Sequence, residues 1–394
     1  MQREGQQGIL LHDPLRLSGQ AVFLPLSLAP LLELCDGARD EAGLRASLAV
    51  RAGIQLGSTT LERILAQLDE ALLLDNERFA EAYNAALQSF RTATFRPPVL
   101  AGESYPADPE ALEEEFRAYL DAVGKGEQQE NAAPSELRGL ISPHIDYQRG
   151  GAVYAQVWQK AVQAVRGAEV AVIFGTDHIG GEANLTFTHQ RYATPWGALP
   201  TANDIVDMVV QELGPKVVFH DELHHRGEHA IELAVTWLHY LLGDRPCELV
   251  PILCGSFQKF IEGEHDPGQD AEISAGLDIL KDATASRRTI VIAAGDLAHV
   301  GPAFGDPYAV DLVERVRLKA ADEGLMTSIC SGDEEAFFQR VKEDRDRRRI
   351  CGLPPIYMAL RLLGDTEGVV TGYAQCPADQ QGTSFVSICG ILLS

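Results

Sequence analysis

The chain has 394 residues, enough for one large domain with a sizeable core and a smaller one beside it. Its 45% hydrophobic and 23% charged residues are those of an ordinary globular protein. A formal charge of −24 argues against a broad phosphate-binding surface, which needs clustered Lys and Arg, so nucleic acid is not an expected partner. The one basic run, Arg345–Arg349, is interrupted by Asp346 and reads as a helix end and loop. The seven cysteines (Cys35, Cys247, Cys254, Cys330, Cys351, Cys376 and Cys389) are odd in number, widely spaced and without a CxxC, which reads as reduced thiols. The N-terminus lacks a signal-peptide apolar region. No uncharged apolar stretch approaches the roughly 18 residues of a membrane span. A reduced, cytoplasmic protein without membrane contact is expected.

Residues 1–98 read as a small, mostly helical domain. A short strand over Gln20–Pro25 precedes helices at Leu26–Leu34, Glu41–Arg51, Thr59–Leu74 and Phe79–Phe90. Leu61, Ile64, Leu65, Leu68 and Leu72 form the stripe of the third, with Thr59 or Thr60 as its cap. Pro97-Pro98 marks the boundary with a second domain over 99–394. There a helix is expected from about Asp108 to Val123, with Asp108 capping and Pro109 in the first position, then a polar surface loop over Gly124–Ser135. From Leu137 strands and helices alternate, the pattern of an α/β fold. Strands are expected near 138–142, 169–175, 216–219, 248–253, 288–294, 368–374 and 384–393, and helices near 149–165, 202–213, 228–242, 269–283, 308–325, 333–343 and 354–363.

Three apolar runs end in the same way. Leu140-Ile141 runs into Ser142-Pro143-His144, with Asp146 and Tyr147 just beyond. Val170–Phe174 runs into Gly175-Thr176-Asp177-His178, and Thr289–Ala294 into Gly295-Asp296-Leu297-Ala298-His299. The carboxyl ends of strands are where open α/β sheets build their sites, so the three histidines are expected to share one pocket. Asp296 is placed to orient an imidazole. Cys351 precedes a helix opened by Pro354-Pro355, where the positive helix end favours thiolate; the competing reading is a buried, inert Cys. The run His224–Glu232 is dense in His but is not HExxH. Glu228 and His229 read as pocket candidates, and His220, His224 and His225 as surface or loop.

Residues 99–394 resemble the Memo-like family, the protein B component of the AmmeMemoRadiSam system. The motifs AGESYP, SPHIDYxxGG, FGTDH, YATPWGAL, EHAIE, PILCG, GDLAH, ICGxxP and GYAQ…SFVSICGIL stand in family order over nearly the whole stretch. The N-terminal part is similar to small winged-helix domains that recognise peptides beside radical-SAM enzymes. The resemblance implies a central mixed β-sheet flanked by helices, like the catalytic subunit of class III extradiol dioxygenases. It implies a metal held by His144, His178 and Cys351, with Asp296 and His299 facing it and His299 as the acid–base residue. Asp146 and Asp177 stand where the family commonly has other residues, and are expected to make the pocket more anionic. Tyr147 and Trp196 are expected as aromatic walls.

Two imidazoles and a thiolate suit Fe(II), Cu or Zn, and three protein ligands leave open positions. The expectation is a metal-dependent redox enzyme acting on a small molecule or peptide, associated with a radical-SAM enzyme and other components of that system. Its rivals are a non-catalytic metal- or peptide-binding adaptor and a zinc hydrolase.

Overall fold

The computed structural model describes residues 2–3, 6–124, 136–263 and 265–394, so the loop expected over Gly124–Ser135 lies, beyond Gly124, outside the described residues. The chain divides into two compact units, Met1–Thr92 and Ala93–Ser394. Among the described residues no helix is long and apolar enough to cross a membrane.

In the first unit Gln6–His12 pairs antiparallel with Ala21–Pro25, and helices follow at Ala29–Leu34, Glu41–Ala52, Ser58–Glu70 and Glu77–Thr92. Leu31, Leu48, Leu61 and Leu68 meet in its core. Asp40 caps the second helix by accepting the Gly43 N–H at 2.8 Å. The strand Gln6–His12 was not expected, because QQGILLH lacks the alternation of a half-buried strand. The third helix starts at Ser58 behind Gly57 with no side-chain cap, so Thr59 and Thr60 lie inside its first turn rather than at its cap.

The second unit is built on an eight-stranded mixed sheet. Its central strands Gly139–Ser142, Thr289–Ala294, Val170–Thr176 and Glu248–Cys254 are parallel. Phe385–Leu393, with Gly368–Pro377 and His299–Val300 beside it, flanks one side antiparallel, and Leu185–Phe187 flanks the other. Both faces are buried: Val172 and Phe174 point into one core, Ala171 and Ile173 into the other. The helix Tyr147–Gly167 packs on one face and Leu353–Leu363 on the other. The run expected as a strand at 216–219 is instead the short helix Pro215–Val218. Gly214, at φ +85°, turns the chain, and Pro215 opens the helix.

Residues 93–98 belong to this second unit. The Arg96 N–H donates to the Arg191 carbonyl at 2.8 Å, and its guanidinium is fully buried. It pairs with Glu232 and donates to the carbonyls of His225 (2.9 Å) and Glu228 (2.5 Å). The Glu232 carboxylate also accepts from the N–H groups of Val99 (2.8 Å) and Leu100 (2.9 Å) and from the Tyr105 hydroxyl (2.6 Å). Two charges shielded from water are held because nearly every hydrogen-bonding position is used. Arg96→Ala should strand the Glu232 carboxylate and cost about 3–5 kcal/mol. Urea denaturation checks this, and adding Glu232→Met should recover part of the loss.

Candidate metal centre

Register puts the site together. Ala294 lies opposite Ser142 on one side and Gly175 on the other, so three parallel strands end level. The chain that leaves each carries a functional side chain within a few residues: His144, His178, and Asp296 with His299. The Cys351 loop closes against this edge because two glycines touch. A Cβ on Gly295 would stand 2.5 Å from Gly352 Cα, and the Gly352 N–H donates to the Asp296 carbonyl at 2.8 Å.

The hydrogen bonds settle the tautomers. His144 Nδ1 is 3.1 Å from the Ala294 carbonyl, which only accepts, so Nδ1 carries the proton and Nε2 offers a lone pair. That Nε2 is 3.1 Å from Cys351 Sγ. His178 Nδ1 donates to Glu228 Oε1 at 3.0 Å while its backbone N–H donates to Oε2 at 2.8 Å. His178 Nε2 is thereby the free nitrogen. The donor atoms of His144, His178 and Cys351 lie within 4.8 Å of one another.

This set fits a divalent transition metal. Ligand bonds of about 2.0–2.3 Å place neighbouring donors a little over 3 Å apart, and each imidazole has the outer hydrogen bond that ligating histidines carry. Two further groups also converge, His178 with Glu228 and His229, and Asp296 with His299 and Cys351.

Burial sets the charges. It pushes His144 well below the usual histidine range, helped by the nearby His178 and His229. Burial would depress His178 too, but the hydrogen bond and charge of Glu228 outweigh it and raise the imidazole. Glu228 is held well below the carboxylate range against its own burial, since His178 and His229 both bond to it. Asp296 is pushed up to about 6 by burial. It accepts the His144 N–H at 2.9 Å. His299 is pushed down to about 4 by burial, against the pull of the Arg349 carbonyl that its Nδ1 contacts at 3.0 Å. The Cys351 thiol is raised well above its ordinary value by burial and the Asp296 charge. The free thiol therefore matches the competing sequence reading, a protonated Cys, rather than the thiolate.

A cavity of about 580 Å³ opens over the centre. His144, His178, His229, Asp296 and His299 line it, with Asp146 and Arg149 at its polar side and Leu233, Phe304 and Val386 among its apolar walls. Phe304 meets His299 edge to face at 5.1 Å. Asp146 is partly occupied elsewhere, capping the helix Tyr147–Gly167 and pairing with Arg149 at 2.5 Å. Asp177 lies on the other side of His178, in a second cavity of about 290 Å³ that Cys351 also borders.

Several expectations need correction. Tyr147 does not wall the cavity. It is fully buried, donates to the Leu233 carbonyl at 2.8 Å, and stacks among Tyr105, Phe116 and Tyr154. Trp196 sits beside Phe116 and Tyr240. His224 and His225 are buried, not on the surface, because each has a polar partner. His224 Nδ1 is 2.6 Å from Asp177, and His225 accepts from the Tyr192 hydroxyl at 2.6 Å while donating to the Thr186 carbonyl at 3.0 Å. His220 is exposed as expected. Phe304, Arg149 and the Arg349 carbonyl carried no signal in the sequence; only the fold brings them here.

The fold and site together define an α/β protein with a His/His/Cys donor set at the carboxyl edge of a mixed sheet. The family model described as "Memo-like protein" matches residues 96–391, and the chain belongs to that family. A MEMO1 family protein of Aquifex aeolicus is 26% identical over 369 residues, covering 92% of this chain and 90% of its own. That match is longer than the second unit and so extends into the first. A MEMO1 family protein of Methanopyrus kandleri is 29% identical over 287 residues, covering 71% of this chain and 91% of its own.

Replacing any of the three donors (His144→Ala, His178→Ala or Cys351→Ser) should remove stoichiometric metal, read by elemental mass spectrometry. Glu228→Gln, which weakens the support of His178 without removing any of the three donors, should lower metal affinity by roughly 10–100-fold. Competition with a chromophoric chelator checks it.

Proposed function

We propose that this chain is a metal-dependent redox enzyme in which His144, His178 and Cys351 hold Fe(II) or Cu, and His299 moves the proton. One observation carries the reading: two imidazoles with their outer nitrogens already committed, and a thiol, converge at a cavity that His299 also lines, its Nδ1 held by the Arg349 carbonyl and its Nε2 left to act. A redox metal bound there would supply electron transfer to an oxidant or substrate at its open positions.

The protein's own groups do the rest. His299 spends Nδ1 on the Arg349 carbonyl, so Nε2 is the atom that accepts a proton from a hydroxyl seated in the cavity. Its depressed basicity keeps it neutral at pH 7. Asp296 acts as a positioning residue, fixing the His144 backbone from within the wall. Leu233, Phe304 and Val386 exclude water from one side of the substrate, a small molecule or peptide side chain. The first unit is proposed to dock a peptide or protein partner, with a radical-SAM enzyme and its companion components as the expected associates in a reducing cytoplasm.

Oxygen consumption by the Fe(II)- or Cu-loaded protein tests the reading. His299→Ala should keep its metal and lose turnover by about 10²–10⁴-fold. Equal loss of metal would make His299 a ligand. Turnover of the Zn-loaded protein under argon would replace the reading with a hydrolase, and no turnover with any metal would leave a binding protein.

The pH profile is a separate check. A base with its pKa near 4 is deprotonated throughout the neutral range. The acidic limb of the rate should therefore fall near pH 4, well below the roughly 6.5 of an ordinary histidine.

A further inference from the structure

Two cavities reach the candidate metal centre, one of about 580 Å³ and one of about 290 Å³. The three donors are divided between them: His144 lines the larger, Cys351 the smaller, and His178 both. Their donor atoms lie within 4.8 Å of one another, so a metal held by them would stand between the two cavities. Three protein ligands leave open positions, and this arrangement offers approach from two sides.

The cavities differ in what they offer a ligand. In the larger one His299 keeps Nε2 free to meet a substrate. In the smaller one each hydroxyl, amide, carboxylate and guanidinium side chain already has a protein partner. The Thr176 hydroxyl donates to the Cys351 carbonyl at 2.8 Å. Asp177 accepts from His224 at 2.6 Å and from the Ile179 N–H at 3.1 Å. Asp346 accepts the Ile350 N–H at 2.7 Å, and Arg349 pairs with Asp306 at 2.8 Å. Ser256 accepts the Gln258 N–H at 3.2 Å, and the Gln258 side chain donates to Glu262 at 2.7 Å. Phe257, Ile261, Ile350, Leu353 and Pro354 make up the apolar walls. A polar molecule entering here would give up water and find few new partners. Asp177 and Asp346 oppose an anion, and a metal at the floor opposes a cation. A small uncharged molecule that forms no hydrogen bonds meets none of these penalties.

We propose that the smaller cavity admits an uncharged diatomic molecule to the metal, while the organic substrate keeps the larger one. This rests on the redox reading above, in which dioxygen is the oxidant. Separate entries let the two reactants arrive in either order, since a substrate seated against His299 leaves the Cys351 side open.

Nitric oxide is the probe, an uncharged diatomic that binds Fe(II) reversibly with a change in visible absorption. Its binding to the Fe(II)-loaded full chain is followed by anaerobic stopped flow. Ser256→Trp and Gln258→Trp, at exposed positions lining the smaller cavity, narrow that entry; Ala303→Trp, also exposed, narrows the larger one. Each of the first two should slow association by roughly tenfold and dissociation by a similar factor, leaving Kd unchanged. That pattern marks an obstructed path and not a disturbed metal. Ala303→Trp should keep the parent's rates, and elemental mass spectrometry should find equal iron in all four proteins. Parent rates in both Ser256→Trp and Gln258→Trp, or a slowing confined to Ala303→Trp, would overturn the inference and leave the metal reading standing. A parent chain that takes up no iron would overturn that reading, and this inference with it.

Discussion

The site depends on one buried carboxylate. Glu228 sits at the entry to the helix Ala230–Leu242 and receives the side chains of His178 and His229 together with the backbone N–H groups of His178, His229 and Ala230. A carboxylate so enclosed stays ionised only because donors surround it, and in return it dictates which nitrogen of His178 is protonated. Its own backbone carbonyl is gripped by Arg96. Arg96 is in turn neutralised by Glu232, one helical turn further along. The two acids of the EHAIE motif thus divide the labour. Glu228 faces the site, while Glu232 locks the entering segment 96–105 against the same helix.

The sheet supplies the other constraint. Level strand ends would leave His144, His178 and Asp296 in a row along an edge, with nothing to close the set. Cys351 closes it from a different part of the chain. The 345–349 turn puts three non-glycine residues, Arg345, Asp346 and Arg349, at φ values of +56°, +47° and +54°. That conformation costs free energy at each residue and persists only when neighbours enforce it. Here Asp346 accepts the Ile350 N–H at 2.7 Å, Arg349 binds Asp306 at 2.8 Å, and the Arg348 and Arg349 carbonyls hold His299. The loop that delivers the thiol is therefore also the loop that fixes the proposed base.

Much of this could be read from the chain because the central strands are short apolar runs that stop at turn residues, and a strand's exit is where a side chain becomes available. Apolar periodicity likewise located every long helix of the second unit. What could not be read depends on distance in space. Nothing in ATFRPP says that Arg96 will be buried against a helix some 130 residues away. His224 and His225 looked like surface residues because a polar run usually is one; they are interior because Asp177 and Tyr192 happen to face them. The 216–219 run looked like a strand because Val217, Val218 and Phe219 are good strand formers, yet Gly214-Pro215 decides the local backbone first.

The position of Cys351 shows how enclosure and helix end compete, and why the metal matters to the outcome. The end of a short helix contributes a fraction of a charge through a few N–H groups, whereas loss of water around a sulfur opposes a full charge. Alone, the thiol stays protonated and His144 uncharged, while Glu228 raises His178 beside them. Bringing a divalent cation to the same point reverses the balance, because a coordinating thiol gives up its proton. Metal uptake then releases that proton, so affinity climbs with pH as long as the free thiol remains protonated. A divalent cation held by these three donors would be the dominant charge of the site. His299, which lines the same cavity with a donor atom within 4.8 Å of the Cys351 sulfur and is already pushed toward the neutral form, is the group positioned to respond to it.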